Sequence, residues 1–203
     1  MKITTLSLLL LSAVCAHSAT VAVSRGGLGV VALTSNNEAL STGGYYIAVG
    51  SFTTVPTVTN TPESVLAAVG AFNEFASATS STTGATVGTV TGSFTGGFSN
   101  AALYNGKEIF IMVGNGNSKA NSTDFAILKG STAWNFTADV SAADSIAVIL
   151  RDVTSFDAVA GTEVDVADPA AKDQVQLWTA IPEVSSSVLV GLFGLGLMSR
   201  RRR

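Results

Sequence analysis

Short apolar runs separated by glycine and asparagine turns constrain the fold of this chain more than any other feature. The clearest run is Tyr45–Val49, which is aromatic and β-branched and follows a Gly-Gly pair; this composition favours a strand. Asn105-Gly106 lies between two further runs and predicts a hairpin of Ala101–Tyr104 with Glu108–Val113, because both turn residues accept positive φ. Gly114–Asn117 predicts another turn. Further predicted strands are Val21–Val23, Leu28–Leu33, Asp124–Lys129, Ala133–Thr137, Ser145–Arg151 and Gln174–Thr179.

One segment has helical periodicity. Thr61 suits an N-cap and Pro62 suits the first turn. Apolar residues then recur at helical spacing, which predicts a helix with one face in the core. These residues are Val65, Ala68, Val69, Phe72, Phe75 and Ala76.

Residues 77–100 are uncharged and contain twelve Ser or Thr and five Gly. One interpretation of this segment is a flexible loop. The other is two weak strands at a sheet edge, Val87–Val90 and Phe94–Phe98. Together the patterns predict eight to ten short strands and one helix. We therefore expect an all-β fold, a single β-sandwich or jelly-roll-like domain over residues 20–180.

The chain has one cysteine and one histidine, Cys15 and His17. If the segment that holds them is removed, the rest contains no thiol and no imidazole, which excludes cysteine nucleophiles, Ser-His-Asp triads, disulfides and Cys/His zinc sites. Charged residues make up 12% of the chain, about half the usual quarter. This composition favours an exported protein.

The N-terminus has the order of a secretory signal peptide, predicted over residues 1–19. Lys2 precedes the apolar run Leu6–Val14, and small residues follow. Cleavage after Ala16, Ser18 or Ala19 fits the pattern of small residues. The run is too short for a membrane-spanning helix, which needs about 20 apolar residues.

The C-terminus, residues 181–203, has three parts in a fixed order. Pro182-Glu183 and three serines precede the apolar segment Val188–Met198, and Arg200–Arg203 end the chain. Arginines that follow an apolar segment stay on the cytoplasmic side of the inner membrane. Residues 184–199 would span about 24 Å as a helix, which is short for a hydrocarbon core of about 30 Å. This length suits transient retention.

This tail resembles the PEP-CTERM sorting signal of Gram-negative bacteria, although Val184 stands where many members have a second proline. The resemblance covers about 23 residues. It implies cleavage near Pro182-Glu183 by an exosortase, a membrane-embedded cysteine transpeptidase-like enzyme, and an association with exopolysaccharide. An uncut tail anchor is the alternative. In this interpretation the membrane segment contains Val188, Leu189, Leu192, Phe193, Leu195 and Leu197, and the cytoplasmic stop is Arg200, Arg201, Arg202 and Arg203.

The segment between these ends is acidic. Residues 20–182 carry six basic and 13 acidic side chains, a formal charge of −7. No Lys or Arg occurs between Gly26 and Gly106. A nucleic-acid binder needs a basic stripe, so we exclude that class.

Eight of the acidic residues fall between Asp139 and Asp173. Paired carboxylates can hydrolyse glycosides, and the loop-like stretch with Asp152, Asp157, Asp165 and Asp168 has the oxygen ligands that calcium takes. No recognised calcium-loop spacing occurs, and a solvated acidic surface is the favoured interpretation. The prediction is therefore no metal, no cofactor and no catalytic residue.

Trp134 and Trp178, with Tyr45, Tyr46 and Tyr104, could form a platform for sugar rings, or they could be core residues. The sequence thus predicts an exported, non-enzymatic cell-surface or extracellular-matrix protein. A carbohydrate-binding module is the alternative, and a carboxylate-dependent glycan hydrolase is the second alternative.

Overall fold

The computed structural model of the chain describes residues 18–25, 30–38, 40, 44–80, 88–97, 101–132, 134–138, 145–151, 153–165 and 173–180. Nearly all of the predicted signal peptide and the whole predicted sorting segment, with Pro182, Glu183, the membrane segment and the arginines, lie outside these residues. No helix in the described ranges combines the length and hydrophobicity that crossing a membrane requires.

Over the described residues the chain forms twelve strands and one α-helix, which confirms the prediction of an all-β fold with one short helix. The strands are β1 (Ser18–Arg25), β2 (Val30–Leu33), β3 (Tyr45–Ser51), β4 (Asn73–Ser80), β5 (Gly92–Gly97), β6 (Phe110–Gly114), β7 (Asp124–Gly130), β8 (Ser145–Leu150), β9 (Phe156–Ala160), β10 (Thr162–Val164), β11 (Asp173–Gln176) and β12 (Trp178–Thr179). The helix α1 is Pro62–Ala71.

The strands form three sheets. The largest has the order β12-β7-β6-β3-β4, with β9 also paired to β7, and all its pairs are antiparallel. A second sheet has the order β5-β1-β8 and a third the order β10-β11-β2. Each small sheet contains one parallel pair, β1 with β8 and β11 with β2.

The largest sheet is covered on both faces. Every residue of β3 and of β6 is buried. Successive side chains in a strand point to opposite faces, and they enter two different cores. Ile47 and Ile111 pack with residues of β1, β2 and β8 on the small-sheet side, whereas Ala48 and Met112 pack with α1 on the helix side. Continuous apolar runs are the expected pattern for strands buried on both faces.

The helix begins as predicted and ends earlier than predicted. Thr61 is the N-cap and its side chain accepts a hydrogen bond from the Ser64 backbone nitrogen. The helix stops at Ala71, and Phe72 has an extended backbone. The predicted continuation through Phe75 and Ala76 is wrong, because Phe72 enters the helix-side core and Phe75 enters the small-sheet core. A strand starting at Asn73 places these two rings on opposite faces of the sheet.

The predicted hairpin at Asn105-Gly106 is also wrong. Ala101–Leu103 forms a 3₁₀ turn instead of a strand. The Tyr104 ring packs against Phe75 and Phe136, and Gly106 has the predicted positive φ of 63°. The segment after the turn pairs with 134–136, since Ile109 N donates to Trp134 O and Phe136 N donates to Lys107 O. The predicted strand at 133–137 is thus reduced to one bridge, Glu108 with Asn135.

The structure bears on three other predictions. Phe94 lies in β5, at one edge of the sheet β5-β1-β8, as the edge-strand interpretation of residues 77–100 predicted. Part of the acidic stretch that looked loop-like contains β9 and β10. The turn at 114–117 is confirmed, because it joins β6 to a 3₁₀ turn, Lys119–Asn121, before β7.

Candidate functional site

A cleft of about 470 Å³ lies on the outer face of β8. Val148 and Leu150 point into the small-sheet core and are fully buried. Ala147 and Ile149 alternate with them and line the cleft, and Ile149 is 51% exposed. The volume falls in the range of about 300–1,000 Å³ that small-ligand sites occupy.

Trp134 forms an aromatic wall of this cleft. Its ring lies on the backbone of Gly130, where an added Cβ would be 2.8 Å from ring atoms Cδ2 and Cε2. Its carbonyl accepts a hydrogen bond of 2.6 Å from Ile109 N. The ring is half-buried and packs against the small-sheet core. Trp134 is therefore held in place before any ligand arrives.

Hydroxyl groups and one cation surround the aromatic wall. Arg151, the residue directly after β8, lines the cleft, as do Ser131, Thr132, Thr154 and Ser155. Ser131 N donates to Ser155 O at 3.2 Å, and Arg151 N donates to Ser155 Oγ at 3.0 Å. These bonds tie together the two loops that bound the cleft. Among the described residues that line it, Arg151 is the one charged side chain.

The five aromatic side chains do not form one platform, which was one of the two interpretations of the sequence; the three tyrosines are core residues, as the other interpretation expected. Trp178 packs against the helix-side core, and its indole nitrogen donates to Thr162 Oγ1 at 2.9 Å. The three tyrosines are buried, and the Tyr45 hydroxyl donates to Thr89 O at 2.9 Å. Of the five aromatic side chains, Trp134 is the one that the structure places in the cleft.

The described carboxylates of the acidic segment lie elsewhere. Asp157 forms an ion pair of 3.6 Å with Lys129, and Glu163 accepts a hydrogen bond from Ala158 N. None of the described cleft residues is a carboxylate. Within the described ranges, no three acidic, histidine or cysteine side chains come together as a metal site would require. Asp152 and Asp168 lie outside those ranges.

A second polar cluster joins β3 and β4. The buried Tyr46 hydroxyl donates to the Glu74 carboxylate, which also accepts a 2.5 Å bond from Ser77 Oγ. Burial, and then the hydrogen bond to Glu74, raises the pKa of Tyr46 well above its ordinary value. Burial, and then the charge of Glu74, also raises the pKa of Tyr104. Both phenols stay protonated at neutral pH, which suits donors in a packed interior and not general bases.

Sequence reasoning missed Arg151 and the four hydroxyl residues as cleft residues. The alternation in β8 is a usable signal, because Ala147, Ile149 and Arg151 share one face of a strand whose other face is apolar. Two loops, 131–132 and 154–155, also line this face. No local sequence pattern predicts that they lie beside β8. No known protein family, curated protein or solved structure matches this chain.

Proposed function

We propose that this protein is an exported, non-enzymatic cell-surface or extracellular-matrix protein that associates with exopolysaccharide. In this proposal the N-terminal segment, predicted from the sequence as residues 1–19, directs export through the inner membrane. The tail then holds the chain in that membrane transiently, until an exosortase cuts near Pro182-Glu183. The order of segments in the sequence supports the proposal, because a β-rich domain stands between an apolar N-terminal run and a Pro-Glu, apolar, arginine tail.

The end of the described fold is compatible with this order. Ala180 is fully buried in the helix-side core, and its backbone nitrogen donates to Thr123 O at 2.7 Å. Ile181 alone separates this anchored residue from the Pro-Glu pair. Cleavage at that pair would therefore leave the described domain whole.

The processing is tested by the mass of the mature C-terminus in a host with and without its exosortase. We expect a C-terminus near Pro182-Glu183 when the enzyme is present and an intact Arg203 when it is absent. The control is a variant with Arg200–Arg203 replaced by serine, which keeps the Pro-Glu pair and removes the cytoplasmic stop. An intact Arg203 in both hosts would contradict the proposal.

We further propose that the cleft on β8 is where the protein holds a glycan. The observation that carries this function is the fixed indole of Trp134 in a cleft rimmed with hydroxyls. Sugar rings pack their C–H faces on aromatic rings, and a few placed hydroxyls give orientation.

Replacing Trp134 by alanine should weaken binding to a glycan array by about tenfold or more, because an aromatic anchor is lost. Trp178→Ala is the matched control, since this tryptophan packs on the other side of the large sheet. Near-ultraviolet circular dichroism would check that both variants fold. Equal loss of binding in the two folded variants would place the glycan elsewhere.

A further inference from the structure

The last described residues are held in the fold up to one residue before the Pro-Glu pair. β12 pairs with β7, and Ala180 N donates to Thr123 O at 2.7 Å. Ala180 is also fully buried. Ile181 alone stands between Ala180 and Pro182, and one extended residue spans at most about 3.5 Å. An enzyme therefore has almost no length of chain to hold between the folded surface and the pair.

A processing enzyme has to bind the chain on both sides of the bond that it cuts. Extended peptides are bound through their backbone hydrogen-bonding groups, with alternate side chains in pockets. The backbone of β12 pairs with β7, and the Ala180 side chain lies in the helix-side core. Residues 178–180 cannot serve the enzyme in this way while they stay in the fold.

We propose that residues 178–180 must leave the large sheet before the exosortase can cut, so that the stability of this short segment sets the rate of processing. This inference rests on the proposed exosortase processing and adds its regulation. The closed segment makes the folded domain a slow substrate, and opening of the segment makes it a fast one.

The two cores determine how far the opening extends. Leu177 is 1% exposed in the small-sheet core, and its backbone nitrogen donates to Leu33 O at 2.9 Å. Trp178 is half-buried and packs on the opposite face, against the helix-side core. The chain can therefore stay anchored at Leu177 while 178–180 leave. Together with Ile181, the opening supplies four residues, roughly 13 Å of extended chain.

The segment 178–180 is held by a small set of contacts. β12 has two residues and stands at the end of the large sheet, next to β7. The Trp178 indole nitrogen donates to Thr162 Oγ1 at 2.9 Å, on an exposed part of β10. Short elements at the end of a sheet open at a lower free-energy cost than central strands do. We expect 178–180 to open while β3, β6 and β7 stay paired.

The test follows the conversion of the full chain to its mature form, by pulse-chase labelling in a host that has the exosortase. One variant has Gly-Ser-Gly-Ser inserted between Ala180 and Ile181, which moves the pair away from the fold and leaves β12 unchanged. We expect this variant to be processed at least about tenfold faster than the wild-type chain, because a minor open state lowers binding by its own fraction. The matched control has the same insertion between Ser186 and Ser187, beyond the pair, and should not be processed faster.

A pair of point variants tests the segment itself. Thr162→Val removes the acceptor of the indole bond and should speed processing about threefold. Thr162→Ser keeps the hydroxyl and should leave the rate unchanged. Hydrogen exchange at the Ala180 amide, measured on the uncut full chain, should rise by the same factor in Thr162→Val. In the chain with the insertion before Ile181, Thr162→Val should have no further effect on processing, whereas a general loss of stability would still have one.

Each contrary outcome has a distinct meaning. Processing of the chain with the insertion before Ile181 at the wild-type rate, or equal acceleration by the two insertions, would overturn the opening proposal and leave exosortase processing standing. Equal acceleration by Thr162→Val with and without the insertion would do the same. An intact Arg203 in the wild-type chain and in both insertion variants, in the host with the enzyme, would overturn both proposals.

Discussion

At the scale of single residues, the most consequential contact outside the cleft is the bond of Tyr46 to Glu74. Tyr46 is 4% exposed and its pKa is raised, chiefly by burial and then by the hydrogen bond to Glu74. Tyr104 donates to Glu74 O at 2.7 Å and its pKa is raised as well. Glu74 of β4 thus accepts hydrogen bonds from two buried phenols. Because both phenols have raised pKa values, the stability of the interior depends on alkaline pH.

The free energy of unfolding should fall as the pH rises above about 10, the ordinary pKa of tyrosine. Above that pH an unfolded tyrosine releases its proton while folded Tyr46 and Tyr104 keep theirs. The native state then binds more protons, and stability declines with pH. Tyr46→Phe should make this decline smaller. It should also lower the free energy of unfolding at neutral pH by about 1 kcal/mol, because the hydrogen bond to Glu74 is lost. Urea unfolding at a series of pH values measures both.

Ser77→Ala is the control for this prediction, since it removes the other hydrogen bond to the Glu74 carboxylate without removing a phenol. It should not weaken the alkaline decline, because the Ser77 hydrogen bond lowers the pKa of Tyr46 and its loss therefore keeps that pKa raised. If Tyr46→Phe has the same pH dependence as the wild-type protein, the Tyr46 phenol does not contribute to it.

At the scale of elements, the first residues of β1 limit where a signal peptidase can cut without damaging the fold. The strand begins at Ser18, which pairs with Gly97, and Ala19 pairs with Gly96. Ala19 is 2% exposed and belongs to the small-sheet core. Of the three cleavage positions that the sequence allows, cleavage after Ala16 alone keeps the whole strand. The other two remove one or both of these residues.

We therefore expect the exported protein to begin at His17, which N-terminal sequencing of the secreted form would show. Cleavage at this position removes the thiol of Cys15 and keeps one imidazole, His17, as the first residue. A form beginning at Thr20 loses two residue pairs of the β1–β5 ladder. Its free energy of unfolding should be lower by about 1–2 kcal/mol, since each backbone hydrogen bond contributes about 1 kcal/mol. Finding Thr20 at the natural N-terminus would contradict this expectation.

Several elements were predictable from local patterns alone. Tyr45–Val49, Asp124–Lys129 and Ser145–Arg151 are apolar and β-branched, and they form β3, β7 and β8 almost as predicted. The start of α1 followed from Thr61 and Pro62. Two predictions were wrong: the end of α1, and the segment that pairs with 107–109. Both depend on contacts between residues that are distant in sequence. Phe75 is recruited to the small-sheet core, and Lys107 pairs with Phe136.

At the scale of the whole molecule, the large sheet separates two cores that share its strands. The small-sheet core and the helix-side core alternate along β3, β6 and β7. A sheet whose strands serve both cores cannot keep one core intact while the other unfolds. The described domain should therefore unfold in one cooperative transition.

Ile47→Val and Ile127→Val test this arrangement. Ile47 lies in the small-sheet core on β3, and Ile127 lies in the helix-side core on β7, with β6 between the two strands. Each change should lower the free energy of unfolding by about 0.5–1.5 kcal/mol. The double variant should show the sum within about 0.5 kcal/mol. Two separate denaturant transitions, detected by fluorescence and circular dichroism, would show that the cores are independent.

The sequence by itself determined the fold class, because periodicity and turn residues are local properties. It also predicts an export segment and a sorting segment at the two ends from the local order of apolar and charged residues. It also indicated Trp134 as a residue to consider. Only the tertiary structure decided which aromatic side chain reaches a cleft, and that Arg151 lies in the same cleft. Those placements depend on which strands pair and on which face of β8 remains uncovered, and the pairing of distant segments is set by the packing of both cores together.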